Sequence, residues 1–359
     1  MKFFVDPDIA KAETIHTDVY LSEEIFQQTK ESIFATSWQF AGDTDVIRNP
    51  GDVYPFQLLQ GHLNEPLLLS RDQSGEIHCL SNVCTHRGNL IIEKECKLHH
   101  LQCRYHGRRF HLNGKFMFMP EFREVENFPA DRDNLQELPL FQWGKWLFAS
   151  LGTIQPEIYL KEMMERLHWL PLEEFHFRPD LSNDYVVDAN WALYCENYLE
   201  GFHIPFIHGS LNDLIDYGSY TTELFPYANL QLGLAKDDEV SFNLPPSSVD
   251  YGKNVAGYYF WIFPNMMFNF YPWGLSVNIV KPVSLSRSVI SFLSYVCDES
   301  KLQEGAGSDL FRVEMEDEEV VHAVQKGVRS RFYSHGRYSV TREQGTHHFH
   351  RLLSAHLST

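Results

Sequence analysis

Two cysteines and two histidines stand at a spacing that could hold a metal group. They are Cys84 and His86 in Cys84-Thr85-His86-Arg87-Gly88, and Cys103 and His106 in Cys103-Arg104-Tyr105-His106-Gly107, with sixteen residues between the two pairs. Thiolate sulfur and imidazole nitrogen are ligands of zinc and of iron–sulfur clusters alike, so a Cys2His2 zinc site is one reading and four unrelated residues another. Both segments end in glycine. A backbone without Cβ lets N–H groups approach bridging sulfides, which favours the cluster. The other cysteines, Cys79, Cys96, Cys195 and Cys297, are expected to be small buried apolar side chains.

A second set lies in residues 190–208. Asn197, Glu200 and His203 are spaced by three and would share a face if the helical pattern of Trp191 to His203 holds. His203 and His208 would stand about 140° apart on an unbroken helix, too far for one ion. Pro205 lies between them and can end or kink the helix, bringing the second imidazole round. Two histidines plus a carboxylate form an oxygen-activating ferrous site, so a third ligand is sought in the acidic run Glu314 to Glu319. On a helix from Asp309 to Phe332, Val313, Val320, Val321, Val324 and Val328 make a stripe centred within about 20° of Asp317. Asp317 is therefore expected to point inward, with Glu314, about 60° away, as the second choice and Glu316 turned aside. A buried lone carboxylate is costly, and a metal would account for it.

The elements that must position these residues differ between the halves of the chain. From Trp38 to Ser150 short β segments (Pro66 to Leu69, Trp146 to Ala149) alternate with turns such as Asn113-Gly114, which reads as a small all-β domain. Beyond it come a helix or linker at Ile158 to Leu170, the two helices just described, and a strand-rich aromatic run from Val255 to Tyr295. The expected division is an N-terminal segment 1–35 packed on the second domain, a first domain 36–150 and a second 151–359.

Composition narrows the partners. With 359 residues, 30 Lys plus Arg and 48 Asp plus Glu, the net charge is −18, which disfavours nucleic acid and anionic lipid. Asp6, Pro7 and Asp8 interrupt the start before an apolar run of signal-peptide length, and Tyr258 to Tyr271 is too short to span a bilayer. Six cysteines make no disulfide framework in a chain this long. A cytoplasmic protein without a membrane or nucleic-acid partner is expected. Gly305-Ala306-Gly307 lacks the context of a dinucleotide fingerprint, so reductase chemistry is expected on another chain.

The first set resembles the Rieske [2Fe–2S] proteins, with their Cys-x-His and Cys-x-x-His pairs. That resemblance implies that Cys84 and Cys103 hold one iron and His86 and His106 the other. Respiratory Rieske proteins carry a further cysteine where this chain has Asn89, which points to the oxygenase branch. The family's usual tryptophan after the second His-Gly is Arg108 here, so one packing contact differs. Both sets together resemble the oxygenase component of Rieske non-haem iron oxygenases. The resemblance implies an α+β architecture: a Rieske β domain plus a helix-grip catalytic domain on a curved antiparallel sheet.

It also implies that His203, His208 and Asp317 bind Fe(II), and that Asn197 and Glu200 are catalytic. Glu200 takes the place of the acid that bridges a Rieske histidine to an iron-ligating one. The implied activity uses O2 and electrons from NAD(P)H, passed on by a separate flavin or ferredoxin-type reductase. In the family a head-to-tail homotrimer brings a neighbour's cluster close, so Glu200 would link His203 to His106 of the next chain.

Residues 263–273, 324–330 and 336–339, with His347, His348 and His350, resemble the choline, glycine betaine and carnitine oxygenase subgroup. The three histidines themselves read as packing in a near-terminal helix. A monooxygenase that hydroxylates or N-dealkylates a small methylated ammonium compound follows from that likeness. Tyr259, Trp261, Phe263, Phe270, Tyr271 and Trp273 are candidates for its aromatic box, of which strand alternation should leave about half facing the pocket. An aromatic ring dioxygenase is the rival enzyme. A Rieske electron carrier with a non-catalytic binding domain is the rival outside that class.

Overall fold

The computed structural model describes residues 3–236 and 239–358. It divides into two compact units, Ala35–Thr153 and the combination of Met1–Phe34 with Ile154–Thr359.

The first unit is built from three antiparallel sheets of five, three and three strands. Its central strand Glu65–Arg71 shows why an unbroken Leu-Leu-Leu run forms a strand here rather than a helix. Successive side chains alternate between faces, and both faces are covered. Leu67 and Leu69 pack with Ile47, Leu147 and Ala149, whereas Leu68 packs with Cys84, Cys103, Leu101 and Phe110. The loops that carry the first Cys/His set therefore rest on the sheet through their cysteines. Cys79 is buried as expected, but Cys96 lies on the short edge strand Cys96–Lys97 and is exposed, because little covers that edge.

The second unit holds an eight-stranded antiparallel sheet with helices packed against it, the expected α+β arrangement. In chain order its helices are α1 (Asp18–Leu21), α2 (Glu23–Thr29), α3 (Glu157–Arg166), α4 (Trp191–Tyr198), α5 (Ile204–Ile207), α6 (Gly209–Leu214), α7 (Leu310–Gly327) and α8 (Gln344–Leu357). Residues 3–34 belong to this unit: Ile15 N–H donates to His350 Nδ1 at 3.3 Å, and His347 Nε2 donates to the Asp6 carbonyl at 2.7 Å. His347 and His350 are thus structural residues of α8. Among the described residues no helix is long and apolar enough to cross a membrane, and Tyr258 to Tyr271 folds as two paired strands.

Two helical expectations are corrected. The helix from Trp191 stops at Tyr198 rather than His203, where Leu199 leaves helical geometry, so Glu200 lies in a bend and not on the shared face. The helix of the acidic run is α7, and its buried side chains are Glu314, Val321 and Gln325. Val324 is exposed and Val313 and Val320 only half-buried, so the inward face is centred on Glu314, about 60° from Asp317.

Candidate metal centres and cavity

The two Cys/His loops close in the same way. Cys84 N–H donates to the Asn89 carbonyl at 2.9 Å and Gly88 N–H to the Cys84 carbonyl at 3.0 Å. Cys103 N–H donates to the Arg108 carbonyl at 2.9 Å and Gly107 N–H to the Cys103 carbonyl at 3.0 Å. Each turn requires a left-handed residue, φ +69° at Gly88 and +74° at Gly107, which explains the glycines. Both cysteines are buried and both histidines half-buried, with the two imidazole centroids 4.7 Å apart. Burial raises the Cys84 thiol and lowers the His86 imidazolium, each disfavouring the charged form. Asn89 Nδ2 donates to Cys103 Sγ at 3.6 Å.

These donor sets also separate zinc from a cluster. Among the described residues, His203, His208 and Asp317 form a group whose ligand atoms all lie within 4.8 Å of one another, and no three of Cys84, His86, Cys103 and His106 do. One tetrahedral zinc, with bonds of about 2.0–2.3 Å, needs that closeness, whereas a two-iron group spans more. The residues fit the cluster.

The second centre is assembled by α4, α5 and α7. His203 and His208 flank the single turn of α5, which brings their Nε2 atoms to 3.1 Å. Pro205 opens this turn instead of breaking a longer helix; at a first turn its missing N–H costs no hydrogen bond. His203 Nδ1–H donates to Glu200 Oε1 at 2.8 Å, and His208 Nδ1–H to Glu316 Oε2 at 2.8 Å. With the protons fixed on Nδ1, two Nε2 lone pairs face each other and the Asp317 Oδ1, which lies 3.0 Å from His208 and 3.6 Å from His203. Two lone pairs and a carboxylate oxygen turned together call for a cation, and this donor set fits ferrous iron. Burial opposes charge on His208, but Asp317 and Glu316 outweigh it and raise its pKa; the His208 bond in turn lowers that of Glu316.

Asp317 is thus the carboxylate that the structure brings to the histidines. Glu314 is not: it is the more deeply buried of the two, its Oε2 accepts the Tyr194 hydroxyl, and burial pushes its acid up to about 8. Glu316, expected to be turned aside, is the residue that accepts from His208 Nδ1. Asn197 donates to Asp317 Oδ1 at 2.6 Å.

A cavity opens beside these ligands, and its sheet wall follows the register. Gln231, Tyr259 and Asn269 are direct cross-strand neighbours, and Tyr271, Asn278 and Phe292 extend the same face. Of the six aromatic candidates only Tyr259 and Tyr271 line it. Phe270 is one residue out of phase and faces away. Trp261 is covered by Phe349 of α8, with centroids 5.2 Å apart, and Phe263 stacks on His356 at 5.1 Å. Trp273 stands behind the wall, stacked on Tyr271 at 5.4 Å. The pair is held closely: a Cβ on Gly307 would lie 2.5 Å from Trp273 Nε1 and 2.7 Å from Tyr271. Sequence reasoning missed Tyr198, Tyr220, Gln231, Asn269 and Asn278 as cavity residues. Polar side chains interrupting otherwise apolar strands were the available signal.

Comparison with known proteins gives the same picture at the level of family. Residues 172–359 match the ring hydroxylating alpha subunit (catalytic domain) family, and residues 37–129 match the Rieske [2Fe–2S] domain. The chain is 28% identical to the chloroplastic choline monooxygenase of Arabidopsis thaliana, over 98% of this chain and 85% of that protein. It is 26% identical to the carnitine monooxygenase oxygenase subunit of Escherichia coli K12, over 96% and 94%. The quaternary ammonium Rieske monooxygenase CntA bound to L-carnitine has the same fold, with TM-score 0.77, 23% identity and coverage of 98% and 97%. Naphthalene 1,2-dioxygenase shares it at TM-score 0.73 and 16% identity, over 97% and 92%. The chain belongs to the ring-hydroxylating alpha-subunit family, as a Rieske oxygenase whose cofactors are a [2Fe–2S] cluster and a mononuclear iron, with electrons drawn from NAD(P)H through a reductase.

Proposed function

We propose that this oxygenase is a cytoplasmic monooxygenase that hydroxylates a carbon next to nitrogen in a small methylated ammonium compound. The product hemiaminal would then fall apart by N-dealkylation. The observation that carries this reading is the tyrosine wall beside the two histidines: Tyr259 and Tyr271 stand edge to face, with centroids 5.8 Å apart, next to Tyr198 and Tyr220. A quaternary ammonium offers no N–H, so aromatic faces are its main means of recognition. The relatives named choline and carnitine monooxygenase support monooxygenation of an ammonium substrate.

In this reading Cys84, His86, Cys103 and His106 hold the cluster, and His203, His208 and Asp317 hold the ferrous ion, which when bound supplies O2 activation at its open positions. Glu200 and Glu316 keep each Nδ1 protonated so that both Nε2 atoms remain donors to metal. Asn197 fixes the Asp317 oxygen. The buried strands behind Tyr259 and Tyr271 exclude water from the reacting carbon.

The working form is a homotrimer in which Glu200 faces His106 of the next chain. Exposed apolar residues near each centre support this: Tyr105 beside His106 is 53% exposed and Phe206 beside His203 is 76% exposed. The test is oxygen uptake with a matched reductase, coupled to product mass. Ammonium-dependent uptake with one atom from labelled O2 in the product is expected. Conversion of a neutral arene to a cis-diol, with no ammonium turnover, would move the assignment to a ring dioxygenase.

A further inference from the structure

We infer that the cavity selects an ammonium compound without a carboxylate, such as an amino alcohol of the choline type, over a zwitterionic betaine, and that Glu314 is the residue setting this preference. The inference rests on the ammonium reading above and narrows it.

Charge around the cavity carries the argument. Among the described residues lining it are three carboxylates, Glu200, Glu314 and Asp317, and no lysine or arginine. A bound ferrous ion does not reverse this. Its two positive charges are matched by Asp317 and Glu200, and Glu316 outside the cavity is matched by Arg312 at 3.0 Å. No uncompensated cation remains for a substrate carboxylate, whose desolvation would go unrepaid.

The lining amides supply neutral donors and no charge. Gln231 Nε2 is committed to the Tyr198 carbonyl at 2.6 Å, and Asn269 Nδ2 to the Ser276 carbonyl at 3.3 Å. Asn197 Nδ2 is committed to Asp317. Asn278 accepts from Ser276 through its carbonyl oxygen, which leaves its amide as a donor. Each of these amide nitrogens has a hydrogen beyond the bond named, which suits a hydroxyl oxygen, whereas a carboxylate would still meet no cation among the described lining residues.

Glu314 can supply the anionic side by losing its proton as a cation arrives. It is 2% exposed, its Oε2 accepts from Tyr194, and its Oε1 has no hydrogen-bond partner. It is the one lining carboxylate not engaged by either histidine. A buried acceptor with an unfilled valence is unfavourable in the empty cavity, and an arriving cation both relieves it and favours the ionised form.

The experiment is anaerobic equilibrium binding to the iron-loaded full chain, using choline, glycine betaine and the neutral isostere 3,3-dimethylbutan-1-ol. Wild type is expected to bind choline at least tenfold more tightly than either other compound. Glu314→Gln should lose most of the choline-over-isostere preference while leaving the isostere's Kd within about twofold. Glycine betaine binding as tightly as choline would overturn the inference and leave ammonium oxidation intact. Equal binding of choline and the isostere by wild type would instead sink the ammonium reading itself. An unchanged preference in Glu314→Gln would remove Glu314 from the account. The wild-type comparison needs no variant to fold.

Discussion

Asn197 on α4 and Asp317 on α7 meet across 120 residues of sequence, the amide nitrogen donating to Oδ1 at 2.6 Å. That oxygen is the one facing Nε2 of both histidines. The same two helices are joined at Asn190, whose N–H donates to Gln325 Oε1 at 2.7 Å, and at Tyr194, whose hydroxyl donates to Glu314. The carboxylate is thus held by a ladder of buried polar contacts before any metal arrives. Partners that orient a ligand are typically worth tenfold to a hundredfold in metal affinity. Asn197→Leu should raise the rate of iron loss to a chelator by about tenfold or more while the cluster's EPR signal persists. Unchanged iron retention would show that Asp317 needs no such support.

Glu200 carries two separable roles. Its Oε1 accepts from His203 Nδ1, and its Oε2 accepts the backbone N–H groups of Phe202 and His203, capping the bend that follows α4. Glutamine can keep one acceptor on His203 without the charge. Glu200→Gln is expected to retain both metals and turn over at least tenfold more slowly, whereas Glu200→Ala should also lose mononuclear iron. Iron counting beside single-turnover electron transfer checks both. Full-rate turnover by Glu200→Gln, or by a strictly monomeric preparation, would end the bridging role.

How much of this was legible beforehand depends on whether a local pattern decided the outcome. The Cys84 and Cys103 loops were readable because ligand type, spacing and a glycine all lie within a few residues. The His203–His208 turn was readable in outcome but not in cause. Pro205 was expected to interrupt a long helix, whereas the helix had already ended and the proline starts the next turn. On α7 the periodic valines pointed to the wrong centre. Burial there is decided by Tyr194 across the interface, which draws in Glu314, a partner no single-helix projection contains. The cavity wall was half-legible: alternation was expected to remove about half of the aromatic candidates without saying which, and Trp261 is in phase yet excluded only because α8 lays Phe349 over it.

That distinction predicts a split among the aromatic residues. A cation–π contact is worth about 0.5–2 kcal/mol, or roughly 2- to 30-fold in Kd. Tyr259→Leu and Tyr271→Leu should weaken ammonium binding within that range with little effect on a neutral isostere. Trp261→Leu should lower thermal stability and leave Kd for both compounds unchanged, because its ring contacts Phe349 and Phe263 rather than the cavity. Trp273→Phe should have a smaller effect than Tyr271→Leu, since its ring acts through Tyr271. A Trp261 variant with selectively impaired cation binding would contradict the register.

Arg108 stands where the family resemblance implies a tryptophan, and its side chain is packed as a buried cation. The side chain is 2% exposed, and its guanidinium lies 5.1–5.6 Å from the ring centroids of Phe110, Phe116 and Phe128. Nη2 donates to the Asp133 carboxylate at 2.8 Å and to the Asp133 carbonyl at 3.0 Å. A buried cation is tolerated because it is paired, hydrogen-bonded and faced by aromatic rings together. Removing only the cation strands Asp133, at a cost of about 3 kcal/mol, the low end for a broken buried pair because the carboxylate keeps some water. Burial raises the Asp133 acid, but Arg108 outweighs it and holds the carboxyl below its ordinary value. The pair's contribution is therefore full above about pH 4, the unfolded value, and is lost as pH falls through the folded one. Arg108→Met should lower the midpoint for thermal loss of the cluster's visible absorption by several degrees, equally at pH 6 and pH 8. Arg108→Met with Asp133→Ala should recover part of that loss, since the stranded carboxylate is gone. If the single variant melted with wild type, the guanidinium would be filling space and not pairing charge.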